Sequence, residues 1–173
     1  MNGAALALDH PPDAEFKASR RPDDHRDEVR LWLRLLTCTN LIEGEVRRRL
    51  REGFGVTLPR FDLLAQLDKE PGGLTPSEIS RRMMVSNGNV TGLLERLAGS
   101  GHVVRRVSDT DRRAQVISLT PLGRREFATM ARAHEGWIAD MFDGLGADGA
   151  AELMALLART KSSVRRAVRE ETT

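Results

Sequence analysis

Apolar residues recur every three or four positions along most of the chain, which is the spacing that places side chains on one face of an α-helix. The pattern predicts a long helix over residues 23–54 and two further helices within residues 121–170, the second beginning after a break near Gly144. The apolar stripes on these segments are wide. Wide stripes predict that each helix packs against more than one surface.

Shorter helices are predicted between these long segments, each bounded by residues that start or stop a helix. Leu58-Pro59 opens one, because proline suits the first helical position. Thr75-Pro76-Ser77-Glu78 has the spacing of a capping box and opens the next, and a third is predicted from Ser86 to Ala98. Their predicted buried face consists of Phe61, Leu63, Leu64, Leu67, Ile79, Val90, Leu93, Leu94 and Leu97.

Two short β-branched runs follow, Val103-Val104 and Val116–Leu119, with a charged, turn-rich segment between them. This arrangement predicts a β-hairpin. Two short helices joined by a tight turn and followed by a hairpin make a winged helix-turn-helix, predicted here over residues 57–120. The fold class is therefore mainly α with a small β-hairpin wing. Residues 1–22 contain three prolines and no sustained period, and they are predicted to form a flexible arm.

The distribution of charge indicates what kind of partner the chain binds. The chain has 173 residues and a formal net charge of only +2, yet its arginines come in clusters such as Arg47-Arg48-Arg49. Local basic clusters on a chain of modest net charge indicate a surface that faces a polyanion. Ordinary solvated helix faces are the alternative explanation for such pairs.

The sequence lacks the motifs that mark several classes of protein. Cys38 is the single cysteine, so neither an intrachain disulfide nor a Cys-x-x-Cys zinc site is predicted. The four histidines are scattered, and neither a Ser–His–acid order nor a phosphate-binding loop is present. Without a secretory signal or the roughly 18 apolar residues of a membrane span, the expected location is the cytoplasm, with no membrane partner. We therefore predict no enzyme activity, no metal and no cofactor.

The predicted helix 86–98 has the features of a DNA-recognition helix. With its leucines and Val90 buried, the opposite face carries two glycines, which cost about 1 kcal/mol each in a helix and indicate close approach by another body. That body is either a DNA groove or another helix. Asparagine can pair with adenine, and threonine can touch a thymine methyl group.

The hairpin tip, Asp109 to Arg113, is too charged to pack. Arginine at such a tip suits DNA phosphate or the minor groove, and the aspartates can hold turn backbone and arginine in place. A solvated turn is the alternative. The predicted contacts to double-stranded DNA are Ser86, Asn87, Gly88, Asn89, Thr91, Arg96, Arg105, Arg106, Asp111, Arg112 and Arg113.

The chain resembles the MarR family of bacterial transcription regulators over about residues 25–168. The resemblance is carried by residues 58–67, by residues 74–127 and above all by the pattern D-x-D-R-R followed by a strand ending in L-T-x-x-G. It implies a homodimer in which residues 23–54 and 121–170 serve as dimerisation helices. It further implies recognition of successive major grooves of a pseudo-palindromic operator and, most often, repression relieved by a small ligand.

The resemblance also suggests where an effector would bind. We expect an aromatic acid or its CoA thioester, contacting Arg30, Trp32, Arg34, Leu36, Asn40, Phe61, His134 and Trp137. Two alternatives are a redox-sensing repressor acting through Cys38 and a repressor of drug or phenolic efflux genes. The hydroperoxide-sensing branch pairs its cysteine with tyrosines, and this chain has no tyrosine. Cys38 is therefore expected to be a buried structural thiol.

Overall fold

The computed structural model describes residues 27–107 and 115–170. The elements in order are α1 (Asp27–Phe54), α2 (Leu58–Asp68), α3 (Pro76–Met83), α4 (Asn87–Gly99), β1 (Val103–Val107), β2 (Gln115–Leu119), α5 (Pro121–Phe142), a 3-10 turn (Asp143–Leu145) and α6 (Gly146–Glu170). The prediction of a mainly helical chain with one small hairpin is confirmed. The predicted arm 1–22, the start of the first helix at residues 23–26 and the hairpin tip 108–114 lie outside the described residues.

The chain divides into two compact units at Leu58. In the first unit the structure describes α1, whose first turn carries Asp27 and Glu28, where carboxylates favour the positive end of the helix dipole. The helix closes where expected, with Gly55 in the left-handed region at φ 63° and its N–H donating to the Arg51 carbonyl at 3.0 Å. Much of its apolar stripe is exposed in the single chain: Val29, Leu31, Trp32 and Leu41.

Cys38 is a correction to the sequence prediction, because its side chain is exposed rather than buried. Its neighbours Leu35 and Leu36 are apolar, but residues adjacent in sequence point to different sides of a helix. Thr39, Asn40 and Leu41 are exposed with it. Four consecutive exposed residues go once around a helix, so this turn of α1, including the thiol, is open on all sides in the single chain.

The second unit contains the winged helix-turn-helix, and its core matches the predicted face. All nine predicted residues of α2, α3 and α4 are buried, and Leu74, Val103, Ile117 and Leu119 join them. Each fully buried leucine or isoleucine contributes roughly 1.5–3 kcal/mol relative to an exposed one. This core fixes α4 against α3 and the hairpin.

The hairpin is antiparallel, with Val103 opposite Leu119 and Arg105 opposite Ile117. Leu74 adds a third short segment, since its N–H and carbonyl both bond to Ile117, at 2.9 and 2.8 Å. The chain enters this pairing through Gly73, at φ 88°, where a Cβ would lie 2.7 Å from the Ile117 carbonyl oxygen. The loop before α3 is thereby tied to the hairpin.

The start of α5 is fixed against the beginning of β1. Thr120 caps the helix by accepting from the Gly123 N–H at 3.0 Å, and its hydroxyl donates to the Gly101 carbonyl at 2.7 Å. A Cβ on Gly123 would stand only 2.1 Å from the His102 carbonyl oxygen, so this turn of the helix rests directly on the backbone. The L-T-x-x-G pattern is therefore a joint between the hairpin and α5.

The later helices carry apolar residues that the single chain leaves uncovered. Phe127 and Met130 of α5 are buried, whereas Trp137 and Met141 are half-buried and α6 has no buried residue at all among Gly146–Glu170. The exposed set comprises Phe142, Leu145, Met154, Leu156, Leu157, Val164 and Val168. Within the described residues, no helix combines the length and the apolar character needed to cross a membrane.

Candidate nucleic-acid interface

A complete capping box starts α3. The Thr75 hydroxyl accepts from the Glu78 N–H at 3.3 Å, and the Glu78 carboxylate accepts from the Thr75 N–H and hydroxyl, each at 2.8 Å. Those two bonds, the backbone one first, hold the pKa of Glu78 below its ordinary value. Because both ends of the box are satisfied, α3 has a defined first turn from which the next helix is oriented.

The turn from α3 to α4 is held by backbone and side-chain bonds. The Val85 N–H donates to the Ser80 carbonyl at 3.2 Å, and the Ser80 hydroxyl donates to the Val85 carbonyl at 2.6 Å. Met84 occupies the left-handed region at φ 54° and is 91% exposed. The residue type of Met84 does not indicate this backbone, because methionine, unlike glycine or asparagine, seldom adopts the left-handed region.

The first turn of α4 presents the predicted base-reading groups to the outside. Asn87, Gly88 and Asn89 are all exposed. Ser86 has a local role as the helix cap, its hydroxyl accepting from the Asn89 N–H at 3.4 Å. The hydroxyl of Thr91 donates to the Asn87 carbonyl at 3.0 Å, so Thr91 can offer a base its methyl group or its hydroxyl oxygen as an acceptor, but not its hydroxyl proton.

Two glycines in the first half of α4, Gly88 and Gly92, face open space. No atom lies within 4 Å of a Cβ built on Gly88, and the nearest atom to one on Gly92 is Nη2 of Arg96 at 3.8 Å. A groove of about 330 Å³ runs along this face, bordered by Pro59, Met83, Val85, Gly88, Asn89, Gly92, Leu93 and Arg96. Neighbouring helices border the groove, but no described helix fills the space over Gly88 and Gly92, which favours approach by an external body over helix packing.

The hairpin adds two exposed arginines. Arg105 and Arg106 lie on β1 opposite Ile117 and Val116, and no described carboxylate is within ion-pair distance of either. The other predicted hairpin contacts, Asp111, Arg112 and Arg113, lie outside the described residues. The structure thus places Arg105 and Arg106 in the same winged unit as the open face of α4.

The basic cluster on α1 has a different character. Arg47 pairs with Glu43, Arg48 with both Glu45 and Glu52, and Arg49 with Glu45. Hydrogen bonds from Arg48 and Arg49 lower the pKa of Glu45 to about 2. For this cluster the alternative explanation is correct, because its charges are neutralised along the helix.

The end of α4 is linked to α5 through His102, a link that the sequence did not indicate. The Ser100 hydroxyl lies 2.9 Å from the Arg96 carbonyl and 2.7 Å from Nδ1 of His102. Nε2 of His102 lies 2.6 Å from the Glu126 carboxylate on α5. With the Thr120 and Gly123 contacts, this chain of bonds couples the recognition helix to α5.

The predicted effector residues fall into two groups. Phe61, His134 and Trp137 come together, with ring centroids 5.0 Å apart for the first pair and 6.5 Å for the second. Phe127 extends this cluster, 5.5 Å from Phe61. The other candidates share α1: Arg30, which pairs with Asp27 at 3.6 Å, and Trp32, Arg34, Leu36 and Asn40.

A capped helix-turn-helix with an open second helix, followed by a hairpin with exposed arginines, defines a winged helix-turn-helix protein of the DNA-binding class. The sequence model of the MarR family matches residues 54–114. A MarR-family transcriptional regulator from Silicibacter pomeroyi has a crystal structure that is similar with a TM-score of 0.69. It is 31% identical, and the match covers 83% of this chain and 99% of that one. The chain belongs to the MarR family of transcriptional regulators.

Curated relatives agree with this family. The transcriptional activatory protein BadR of Rhodopseudomonas palustris is 28% identical over 129 residues, 73% of this chain and 68% of that protein. The HTH-type regulator YfiV of Bacillus subtilis is 35% identical over 97 residues, which span 56% of this chain and 58% of YfiV. Membership in a family of transcriptional regulators also confirms the prediction that the chain is not an enzyme.

Proposed function

We propose that the protein is a sequence-specific DNA-binding repressor that acts as a homodimer on a pseudo-palindromic operator and responds to a small aromatic ligand. The open face of α4 is the observation that carries this proposal. Asn87 and Asn89 supply amide groups suited to base edges, and Gly88 and Gly92 leave the backbone accessible to a groove. Such a function belongs in the cytoplasm, where bacterial DNA lies.

The occupant proposed for the exposed apolar faces is a second copy of the chain. Val29, Leu31 and Trp32 on α1 and Leu156 and Leu157 on α6 are each at least 40% exposed, which is unusual for so many large apolar side chains in one chain. A two-fold dimer would place the recognition helices about one helical turn of DNA apart, roughly 34–36 Å. An operator with two half-sites at that spacing follows from this arrangement.

The proposed effector is an aromatic acid or its CoA thioester. The ring cluster of Phe61, His134 and Trp137 supports it, because aromatic side chains with one polar ring suit a planar ligand that carries a polar group. A thermal-shift screen of aromatic acids and their CoA esters tests the idea, since a ligand that binds only the folded state raises the melting temperature. A ligand that acts as the effector should also reduce the amount of DNA that the protein retards in a gel shift.

The DNA-binding proposal is tested by titrating the protein against its own promoter fragment and against a random duplex of equal length. Asn89→Ala should reduce the preference for the promoter fragment, because it removes a group that distinguishes bases. Arg105→Ala should weaken binding to both duplexes alike, because phosphate contacts carry no sequence information. A wild-type protein that retards neither duplex at low salt would contradict the proposal.

Two alternatives are each favoured by a specific observation. The name of BadR favours activation, and a promoter–reporter fusion with and without the regulator gives the sign of the effect directly. The exposure of Cys38 favours redox sensing, and hydroperoxide treatment of wild type and Cys38→Ser in the same gel shift tests it. A third alternative, control of drug or phenolic efflux genes, is decided by which genes the bound promoter controls.

A further inference from the structure

A second basic surface lies apart from the open face of α4, where the hairpin meets the first turns of α5. It is a shallow groove of about 560 Å³ with an apolar floor and arginines around it. Its lining consists of Arg106, Leu119, Pro121, Arg124, Arg125 and Ala128. Arg106 was predicted as a DNA contact from the sequence, whereas Arg124 and Arg125 were not. We call this surface the Arg124 groove.

The positive charges of the Arg124 groove are poorly compensated. No carboxylate lines it, and within residues 27–107 and 115–170 neither Arg106 nor Arg125 has an ion-pair partner. Arg124 approaches only Asp68, at 3.5 Å, and that pair is largely exposed and contributes little. On α1, in contrast, Arg47, Arg48 and Arg49 each pair with a glutamate on their own helix.

The position of these charges also opposes the helix dipole. Arg124 and Arg125 lie in the first turns of α5, which begins at Pro121, and cations are unfavourable near the positive end of a helix. Three like charges around one groove repel one another as well. The groove therefore places cations near the positive end of a helix and close to other cations. Such an arrangement indicates that an anion from outside the chain compensates the charge.

We propose that the Arg124 groove binds phosphate groups. The guanidinium group matches a phosphate with paired hydrogen bonds, and phosphate carries enough negative charge to balance several arginines. The apolar floor of Leu119, Pro121 and Ala128 accommodates a sugar or a flat ring. The phosphate comes from one of two sources: a DNA backbone beyond the bases read by α4, or a free phosphorylated small molecule. Only the first source rests on the proposed function.

The test for a free ligand uses the full chain without DNA and measures its melting temperature with inorganic pyrophosphate or ATP. Binding to the folded state raises the melting temperature, and Arg125→Ala should abolish most of that rise. The matched control is Arg132→Ala, which removes the same charge from an exposed position on α5 outside the groove. The control should keep the wild-type response.

The test for DNA uses a random-sequence duplex, so that no operator needs to be known. At low salt, Arg125→Ala should bind about tenfold more weakly than Arg132→Ala, as expected for one lost charge-assisted hydrogen bond. The dependence of log affinity on log salt should become shallower by about 0.9 for the lost phosphate contact.

The two measurements separate the outcomes. A difference between the variants in melting temperature alone assigns the groove to a free ligand, and a difference in DNA binding alone assigns it to the backbone. Equal behaviour of Arg125→Ala and Arg132→Ala in both measurements overturns the proposal. If wild type binds no DNA but shows the Arg125-dependent pyrophosphate effect, the proposed function fails while the groove stands.

Discussion

Replacing Gly123 with alanine tests the joint between the hairpin and α5. The added methyl carbon would lie 2.1 Å from the His102 carbonyl oxygen and 2.9 Å from its carbon. A carbon and an oxygen in contact normally keep about 3.3 Å, so the two must separate by about 1.2 Å. The carbonyl cannot retreat freely, since it accepts from the Thr120 N–H at 3.0 Å and from its hydroxyl at 3.2 Å.

The expected loss of stability follows from these contacts. Overpacking against fixed atoms costs roughly 1–3 kcal/mol. Disturbing the Thr120 cap costs about 1 kcal/mol more, and the better helix propensity of alanine returns up to about 1 kcal/mol. We therefore expect Gly123→Ala to lose about 2 kcal/mol. For a chain of this length that corresponds to a fall in melting temperature of roughly 4–8 °C.

Urea unfolding followed by circular dichroism, at one fixed protein concentration, measures this loss. The control is Gly136→Ala on the same helix, where a Cβ meets nothing within 4 Å. That variant should be as stable as wild type or more stable by up to about 1 kcal/mol. If Gly123→Ala matched Gly136→Ala, the close contact with His102 would not exist as described, and the reasoning about the joint would be wrong.

The remaining predictions concern α4, α3 and the dimer. Gly92→Ala should stabilise the fold by up to about 1 kcal/mol yet weaken DNA binding, because the open face of α4 is proposed to receive the groove; tighter binding would contradict this. Thr75→Ala should lose about 1 kcal/mol of stability in urea unfolding, and an unchanged midpoint would mean that the capping box does not stabilise α3. Glu78→Gln should be destabilising at pH 7. Because the folded-state pKa of Glu78 is lowered, its contribution is complete above the ordinary glutamate pKa and disappears as pH falls through the lowered value, so the difference from wild type should close in acid. Leu157→Glu should convert the proposed dimer to monomers in sedimentation and abolish operator binding, and a dimeric variant would place the interface elsewhere.

The sequence was informative where a local rule decides the structure. The Thr75 capping box, the proline starts of α2 and α5 and the buried face of the helix-turn-helix all follow from spacing that neighbouring residues set. Periodicity also identified which side of α4 stays open. These features need no knowledge of distant parts of the chain.

Features that depend on distant or turn-by-turn contacts were not predictable. Cys38 has apolar neighbours in sequence, yet it lies in a turn of α1 that is exposed all round in the single chain. The L-T-x-x-G pattern was visible, but the reason for its glycine is a backbone 21 residues earlier, at His102. The sequence does not distinguish the basic run on α1 from the hairpin arginines, because both are rich in arginine. The difference is that the α1 arginines pair with glutamates, whereas Arg105 and Arg106 have no ion-pair partner among the described residues.

Helix α5 joins the two parts of the second unit that a regulator must couple. Its first turn is fixed to the hairpin by Thr120 and Gly123, and Glu126 reaches the end of α4 through His102. Two turns further along, His134 packs against Phe61 with the two rings tilted by 37°, in the cluster proposed for the effector. A ligand that shifts His134 would act on a helix whose beginning is in backbone contact with the DNA-reading elements. The start of α5 lies in close backbone contact with His102 at Gly123. A shift of α5 would therefore carry the hairpin and the end of α4 along with the helix.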